Sequence, residues 1–300
     1  MTDNFLQDHV KDKTDIIHSF NSAAAGYDVV SVLQKTVGER LLDRLELMKI
    51  NPHWILDIGS GTGLISRALK KQYRRSAVLQ MDIAENMLRH SRKQSRWAFS
   101  KNHFLCADAD HMPLSSQSVD MIFSNLMLQW GNDLDHLFAE VFRTLNNKGL
   151  FVFSTLGPDT LCELRESWSR VDDYTHVNPF IDMHDVGDAL IRAGFTDPVM
   201  ELEYINMSYK SVYDLMHDLK KLGAHNINSG RQRSLTGKEK FKQMVSEYEK
   251  KKVDGRLFAT YEVIYGHTWA PDANARMSTD GQSVVIPLEV LKKSLRGKAD

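Results

Sequence analysis

An apolar strand-type run, Trp54-Ile-Leu-Asp57-Ile, passes directly into Gly59-Ser60-Gly61-Thr62-Gly63, and a helix-compatible segment, Leu64 to Lys71, follows at once. This strand–glycine-loop–helix unit holds an adenosyl cofactor against a helix N-terminus. The glycines allow a sharp turn and a close approach of backbone to ligand that a Cβ blocks. A dinucleotide fingerprint needs a further glycine where Leu64 stands, and no phosphate-cradling G-x-x-x-x-G-K-[ST] is present. The spacing therefore points to S-adenosylmethionine rather than NAD or ATP. The alternative is a glycine-rich hairpin, against which Asp57 before the loop and Asp82 after it both argue.

The 300 residues suit one large domain or one domain with an insertion. A formal net charge of −1 provides no field for nucleic acid, and no run approaches the roughly 18 apolar residues of a membrane span. Asp3, Asp8 and Asp12 near the start are unlike a secretory or transit peptide. Two cysteines, Cys106 and Cys162, make neither a metal pattern nor a disulfide framework. Cys106 reads as a buried strand residue, and a reducing compartment, the cytoplasm, fits.

Strands and helices alternate through the first half, which implies a parallel sheet. Helices are expected at Leu41–Ile50 and Leu134–Leu145, and strands at Trp54–Ile58, Ala77–Asp82, His103–Ala107, Val119–Ser124 and Leu150–Thr155. Asn146 to Gly149 form a helix stop with glycine at the exit. Further on, a helix Asp159–Arg170 capped by Asp159, a helix His184–Ala193 stopped by Gly194 and a strand Val199–Met207 are expected. Helices Ser211–Leu222 and Thr236–Lys252 flank a polar loop and precede a strand Phe258–Tyr265, so they form an insertion between the last two strands. A loop from Pro271 to Gly281 and a short helix Leu288–Leu295 close the chain. Four divisions follow: an N-terminal helical lid (1–40), the cofactor-binding core (41–207), the helical insertion (208–256), and a last strand with a tail (257–300).

Each motif falls at the carboxyl end of an expected strand, where open α/β sheets bind ligands. Asp57 is positioned to orient the glycine loop, including Ser60, and to meet the amino-acid part of the cofactor. Asp82, 19 residues past Gly63, suits a carboxylate that accepts both ribose hydroxyls; its alternative is a helix N-cap. Ile83 and Met87 can sandwich the adenine or serve as core. Asp108 can accept from the adenine amino group, with Ala109 supplying backbone; otherwise it is a turn residue. Asn125, Leu126, Gln129 and Trp130 follow the fourth strand, where the methionine portion and the substrate meet. No G-x-S-x-G, H-E-x-x-H, C-x-x-C or basic–aromatic interleaving is present, so nucleophile-elbow hydrolysis, a metal site and single-strand binding lack support.

These motifs resemble the class I S-adenosylmethionine-dependent methyltransferases across about residues 15–160, Ser60 replacing the cysteine often found there. The resemblance implies a doubly wound, Rossmann-like α/β fold with a seven-stranded, mostly parallel sheet. A narrower resemblance covers most of the chain. Phe20-Asn-Ser-Ala-Ala-Ala-Gly-Tyr27-Asp28, Ser124-Asn125-Leu-Met-Leu-Gln129-Trp130, the stretch from Leu219 to Arg231, and Thr260-Tyr261-Glu-Val-Ile-Tyr265-Gly266 are similar to the malonyl-acyl carrier protein O-methyltransferases of biotin synthesis. Asp159 to Arg165, Asn178-Pro-Phe180 and Ala193-Gly194-Phe195 also resemble the mitochondrial complex I assembly factors, methyltransferase-like proteins linked to arginine hydroxylation. Those lack the insertion pattern Gly223-Ala-His225-Asn-Ile-Asn-Ser-Gly-Arg231, which favours the biotin family.

The family resemblance implies methylation of the free carboxylate of a malonyl thioester carried on acyl carrier protein, with S-adenosylhomocysteine as by-product. A carboxylate with an ordinary pKa of about 4 is already ionised at neutral pH and needs no general base. The same resemblance places Tyr27 over the sulfonium, or else as an aromatic anchor of the N-terminal helix, and Trp130 on the pocket wall. It offers Arg165, His225 and Arg231 as grips for the malonyl carboxylate, and Tyr261 and Tyr265 as channel residues or core. Two basic clusters, Arg89/Arg92/Lys93/Arg96 and Lys220/Lys221/Arg231/Arg233/Lys238, are candidate faces for an acidic carrier protein. A monomer without nucleic-acid, membrane or metal partners is expected.

Overall fold

Seven strands form one sheet in the order β3-β2-β1-β4-β5-β7-β6 among the residues described by the computed structural model, which are 11–95, 102–223 and 237–272. Strands β1 (Trp54–Ile58), β2 (Ala77–Asp82), β3 (Asn102–Cys106), β4 (Val119–Asn125) and β5 (Leu145–Leu156) are parallel. The long β7 (Leu257–Trp269) runs antiparallel between β5 and β6 (Thr196–Tyr209). Because β1 has β2 on one side and β4 on the other, the direction of winding reverses at β1/β4, which places a ligand crevice at the carboxyl ends of these strands.

Period-two alternation divides the apolar side chains between the two faces. Met121, Phe123 and Val152 join a core with Leu33, Val37, Leu41 and Leu45 of helix α3 (Val32–Leu45). Ile122, Phe151 and Phe153 join the opposite core with Phe138 and Val141 of α6 (Leu134–Thr144) and Leu190 of α8 (Met183–Arg192). Ahead of α3 lie α1 (Lys13–Ala23) and the single turn α2 (Tyr27–Val30). Helix α4 (Leu64–Gln72) follows the glycine loop, and α5 (Glu85–Gln94) follows Asp82. Between β6 and β7 stand α9 (Val212–Lys221), opened by a capping box of Ser211 and Asp214, and α10 (Lys238–Glu249). No helix among the described residues is long and apolar enough to cross a membrane.

Several boundaries differ from the sequence expectation. The helix expected at Leu41–Ile50 is the end of α3: its stripe runs back to Leu33, and the backbone amides of Glu46, Leu47 and Met48 close it with tight bonds to carbonyls three residues earlier. Strand β5 begins at Leu145, paired with Val119, so the expected helix stop is a register shift within the strand, and its left-handed residue is Lys148 (φ 61°), not Gly149. Helix α7 covers Cys162–Ser169, and Asp159 does not cap it. The Asp159 amide donates to the Glu262 carboxylate (2.6 Å) and its own carboxylate accepts from the Tyr204 hydroxyl (3.0 Å). Cys106 is exposed, because β3 is the sheet edge. His225, Arg231, Arg233, Arg96 and the expected closing helix lie outside the described residues.

Candidate active site

The three glycines of the loop all take positive φ, but the space around them differs. A Cβ on Gly59 would stand 2.5 Å from Met127 Cγ, and one on Gly63 would stand 1.9 Å from Ser91 Oγ; at Gly61 an added Cβ meets nothing within 4 Å. Gly59 and Gly63 are therefore packing glycines, and only Gly61 has a free face, which looks into a cavity at the carboxyl ends of β1, β2 and β4. Ser60 Oγ, beside it, is buried without a hydrogen-bond partner. A backbone open at Gly61, in the wall of a cavity that Asp82 also lines, fits an adenosyl cofactor.

Asp82 reaches into the same cavity. Its carboxylate accepts from the Gly61 amide and from the Ala84 amide, each at 2.8 Å, so one group both fixes the loop and starts the turn into α5. Burial pushes its pKa up to about 6, against the pull of the Ala84, Gly61 and Ile83 amides. Ligand hydroxyls donating to the carboxylate favour its charged form. Cofactor affinity is therefore expected to rise with pH up to about 6 and level off above it, with up to one proton released per binding event near pH 5. Titration calorimetry in two buffers of different ionisation enthalpy reads this directly; equal affinity at pH 5 and pH 7.5 removes Asp82 from the ligand.

Asp57 is placed differently from the sequence expectation. It is 2 % exposed and its carboxylate accepts from the Ser66 hydroxyl on α4, outside the cavity lining. Burial pushes its pKa up to about 7, the Ser66 hydroxyl opposes this, and the Asp82 charge adds to it. Asp57 thus ties the strand to the helix that follows the loop. Gly63 and Ser60 are likewise outside the lining.

Ile83, Met87, Asp108, Ala109, Asn125, Leu126, Gln129, Trp130 and Tyr27 all line the cavity. Met87 packs with Ala24, Phe20 and Tyr27 beneath α1, so it is both core and wall. Asp108 is occupied by Lys13, which also bonds Asp110 at 2.6 Å. Burial works against the Lys13 charge, but the two carboxylates outweigh it and raise its pKa. Lys13 pins α1 over the cavity and is the one cation lining it among the described residues. The Asn125 amide donates to the Gln34 carbonyl (2.9 Å), and its oxygen accepts from the Ser154 hydroxyl (2.8 Å). Leu126 takes φ 50°, and the Gln129 amide donates back to its carbonyl at 2.6 Å, which tightens the turn after β4.

Phe20 stands edge-on to Trp130, with ring centroids 5.2 Å apart, and near Tyr27, at 6.4 Å. Burial, and then the charges of Asp82 and Asp28, push the Tyr27 phenol pKa upward, so it remains a hydrogen-bond donor. Tyr261 reaches the cavity, but Tyr265 does not: its ring lies under the Arg44 guanidinium, 3.9 Å from the centroid. Arg165 is also elsewhere, donating to the carbonyls of Pro158 (2.8 Å) and Thr160 (3.0 Å). Lys13, Gln34, Thr160 and Asn178 were not singled out from the sequence, although Asn178 lies in a segment that drew a family comparison.

A glycine loop, an acid closing β2 and a covered cavity at the switch point, on this sheet order, define a class I S-adenosylmethionine-dependent methyltransferase. The family described as a methyltransferase domain matches residues 56–153. The fold is similar to that of the YcgJ protein of Bacillus subtilis (TM-score 0.55, 16 % identity, 78 % of this chain and 98 % of that one). It is also similar to a putative methyltransferase of Haloferax volcanii in complex with the Trm112 activator (0.55, 19 %, 85 % and 97 %). Among curated relatives, the malonyl-[acyl-carrier protein] O-methyltransferase of Methylovorus sp. is 47 % identical over 91 % of this chain and 94 % of its own length. That of Gallionella capsiferriformans is 44 % identical over 93 % and 98 %. The chain belongs to the malonyl-[acyl-carrier protein] O-methyltransferase family.

Proposed function

We propose that this chain esterifies the free carboxylate of a malonyl thioester carried on acyl carrier protein, an early step of biotin synthesis, with S-adenosylmethionine as methyl donor. The observation that carries the reading is the chemistry of the cavity wall. Among the described residues, no histidine or glutamate lines it, and its acids are Asp82, which holds the loop, and Asp108 and Asp110, which bind Lys13. Transfer to a group that is already an anion needs no base. S-adenosylmethionine supplies an electrophilic methyl with a neutral leaving group, and the residues supply position.

Gly61, Asp82, Ile83 and Met87 orient the adenosyl end, and Asn125, Leu126 and Gln129 border the methionine end. Tyr27, Phe20 and Trp130 keep water from the transfer site. Such positioning is worth roughly 7–11 kcal/mol of barrier. The Tyr27 hydroxyl and the N–H of the Asn178 amide are neutral donors for the substrate carboxylate, so the uncharged ester leaves without breaking an ion pair. Residues 1–40 serve as the cover and 208–256 as the carrier-facing element of an enzyme that acts as a monomer. The unpaired Cys106 and Cys162 suit the cytoplasm.

Intact-mass analysis of malonyl-acyl carrier protein incubated with S-adenosylmethionine tests the reading; the expected result is a gain of one methylene. The Tyr27→Phe variant should keep cofactor affinity and lose about 10- to 100-fold in kcat, the worth of one hydrogen bond to a charged group. No mass gain from a wild-type protein that binds the cofactor overturns the proposal.

A further inference from the structure

A second, larger opening adjoins the cofactor cavity. Helices α1 and α2 form one wall, α7 with residues 176–180 the other, and α9 and α10 close it. Its volume, about 1170 Å³, exceeds the roughly 300–1,000 Å³ that accommodate compact ligands, so an extended occupant suits it. The two spaces share Leu161, Asn178, Phe180 and Leu219, and a ligand that enters by the groove therefore arrives at the cofactor.

The groove's chemistry narrows the occupant. Much of its wall is apolar, with Trp168 stacked flat on His176 at 3.7 Å. No carboxylate lines it among the described residues, whereas Lys220 and Lys221, both exposed at the end of α9, do. At the junction with the cofactor cavity, Asn178 Oδ1 is buried without a hydrogen-bond partner, at a cost of about 1–3 kcal/mol until a donor reaches it. The matching ligand is a long chain with methylene and methyl segments, internal amide N–H groups and an anionic far end.

We infer that this groove is the path of the carrier protein's phosphopantetheine arm, with an arm amide donating to Asn178 Oδ1 and the arm's phosphate lying toward Lys220 and Lys221. The inference rests on the proposed carrier-bound malonyl substrate and adds its route. The arm's amides satisfy the junction oxygen, its dimethyl and methylene groups meet the apolar walls, and its phosphodiester faces the basic rim. The thioester end then projects past Leu161 and Phe180 into the cofactor cavity, while the carrier itself stays outside. Complementary charge at the rim makes association fall with salt.

Gly26 provides the obstruction. It lines the groove with φ −111°, and an added Cβ meets nothing within 4 Å, so Gly26→Phe fills the groove without forcing the backbone. Two measurements are made on full-length wild type and variant. In the first, holo-carrier is expected to bind wild type at least tenfold more tightly than apo-carrier, and Gly26→Phe to erase that advantage; equal affinity of wild type for the two carriers overturns the inference. In the second, Gly26→Phe should lower kcat/KM for malonyl-carrier at least tenfold. Turnover of a malonyl thioester of N-acetylcysteamine, which lacks most of the arm, and the cofactor Kd should stay within twofold. Equal losses on both substrates overturn it. A wild type that prefers holo-carrier yet methylates neither substrate sinks the proposed reaction and leaves the groove assignment standing.

Discussion

Asp82→Asn is expected to weaken S-adenosylmethionine binding by about 100-fold or more, measured by titration calorimetry. The carboxylate accepts two backbone amides, Gly61 and Ala84, on its two oxygens, and those oxygens have lone pairs left for ligand hydroxyls. Asparagine keeps one oxygen and turns an NH2 group toward a backbone N–H, donor against donor. Hydrogen bonds to a charged group are worth about 1.5–3 kcal/mol each, and two weakened bonds reach the stated loss. Stability should move the other way with pH. The folded-state pKa of about 6 lies above the ordinary 3.8, so the native protein holds a proton that the unfolded chain has released, and wild-type stability falls as pH rises through that window. The variant lacks this term. Its Tm relative to wild type should climb between about pH 4 and pH 6 and then stay level. A binding loss below threefold reduces Asp82 to a turn residue.

Legibility followed the range of the forces involved. The glycine loop, Asp82 and the residues just after β4 were readable because their chemistry is contained within a few consecutive positions. Asp57 shares the motif, but which face a strand residue presents depends on the packing of the sheet, and it faces Ser66 on α4 instead of the ligand. Tyr261 and Tyr265 share a face by alternation, yet four residues along a strand is about 13 Å, enough to put one in the cavity and the other beneath Arg44. Arg165 read as a grip for the malonyl carboxylate because a turn at Gly157-Pro158-Asp159 does not reveal that its carbonyls, those of Pro158 and Thr160, capture the guanidinium of the helix that follows. Lys13, which bridges Asp108 and Asp110 nearly a hundred residues away, illustrates the remaining gap: the cover over the cavity is built from tertiary ion pairs that periodicity does not report.

The loop glycines allow the separation of fold from binding within one motif. Gly63→Ala should cost about 3–4 kcal/mol and lower Tm by about 10 °C, with the fold and not the ligand as the cause. Its Cβ would lie 1.9 Å from Ser91 Oγ and 2.6 Å from Gln80 Oε1, and these two buried side chains hydrogen-bond each other beneath the loop. The added methyl has to break that pair apart, and φ 75° adds the strain of a left-handed alanine. Gly61→Ala carries only that strain, about 1–2 kcal/mol, because the space around it is open. There the penalty should fall on affinity instead, by tenfold or more in cofactor Kd, since the new methyl stands in open space on a loop residue that lines the cavity. Thermal melts without ligand, followed by calorimetry, distinguish the two. An unchanged Kd in Gly61→Ala means the ligand does not approach that backbone, and the assignment of the open face to the cofactor fails with it.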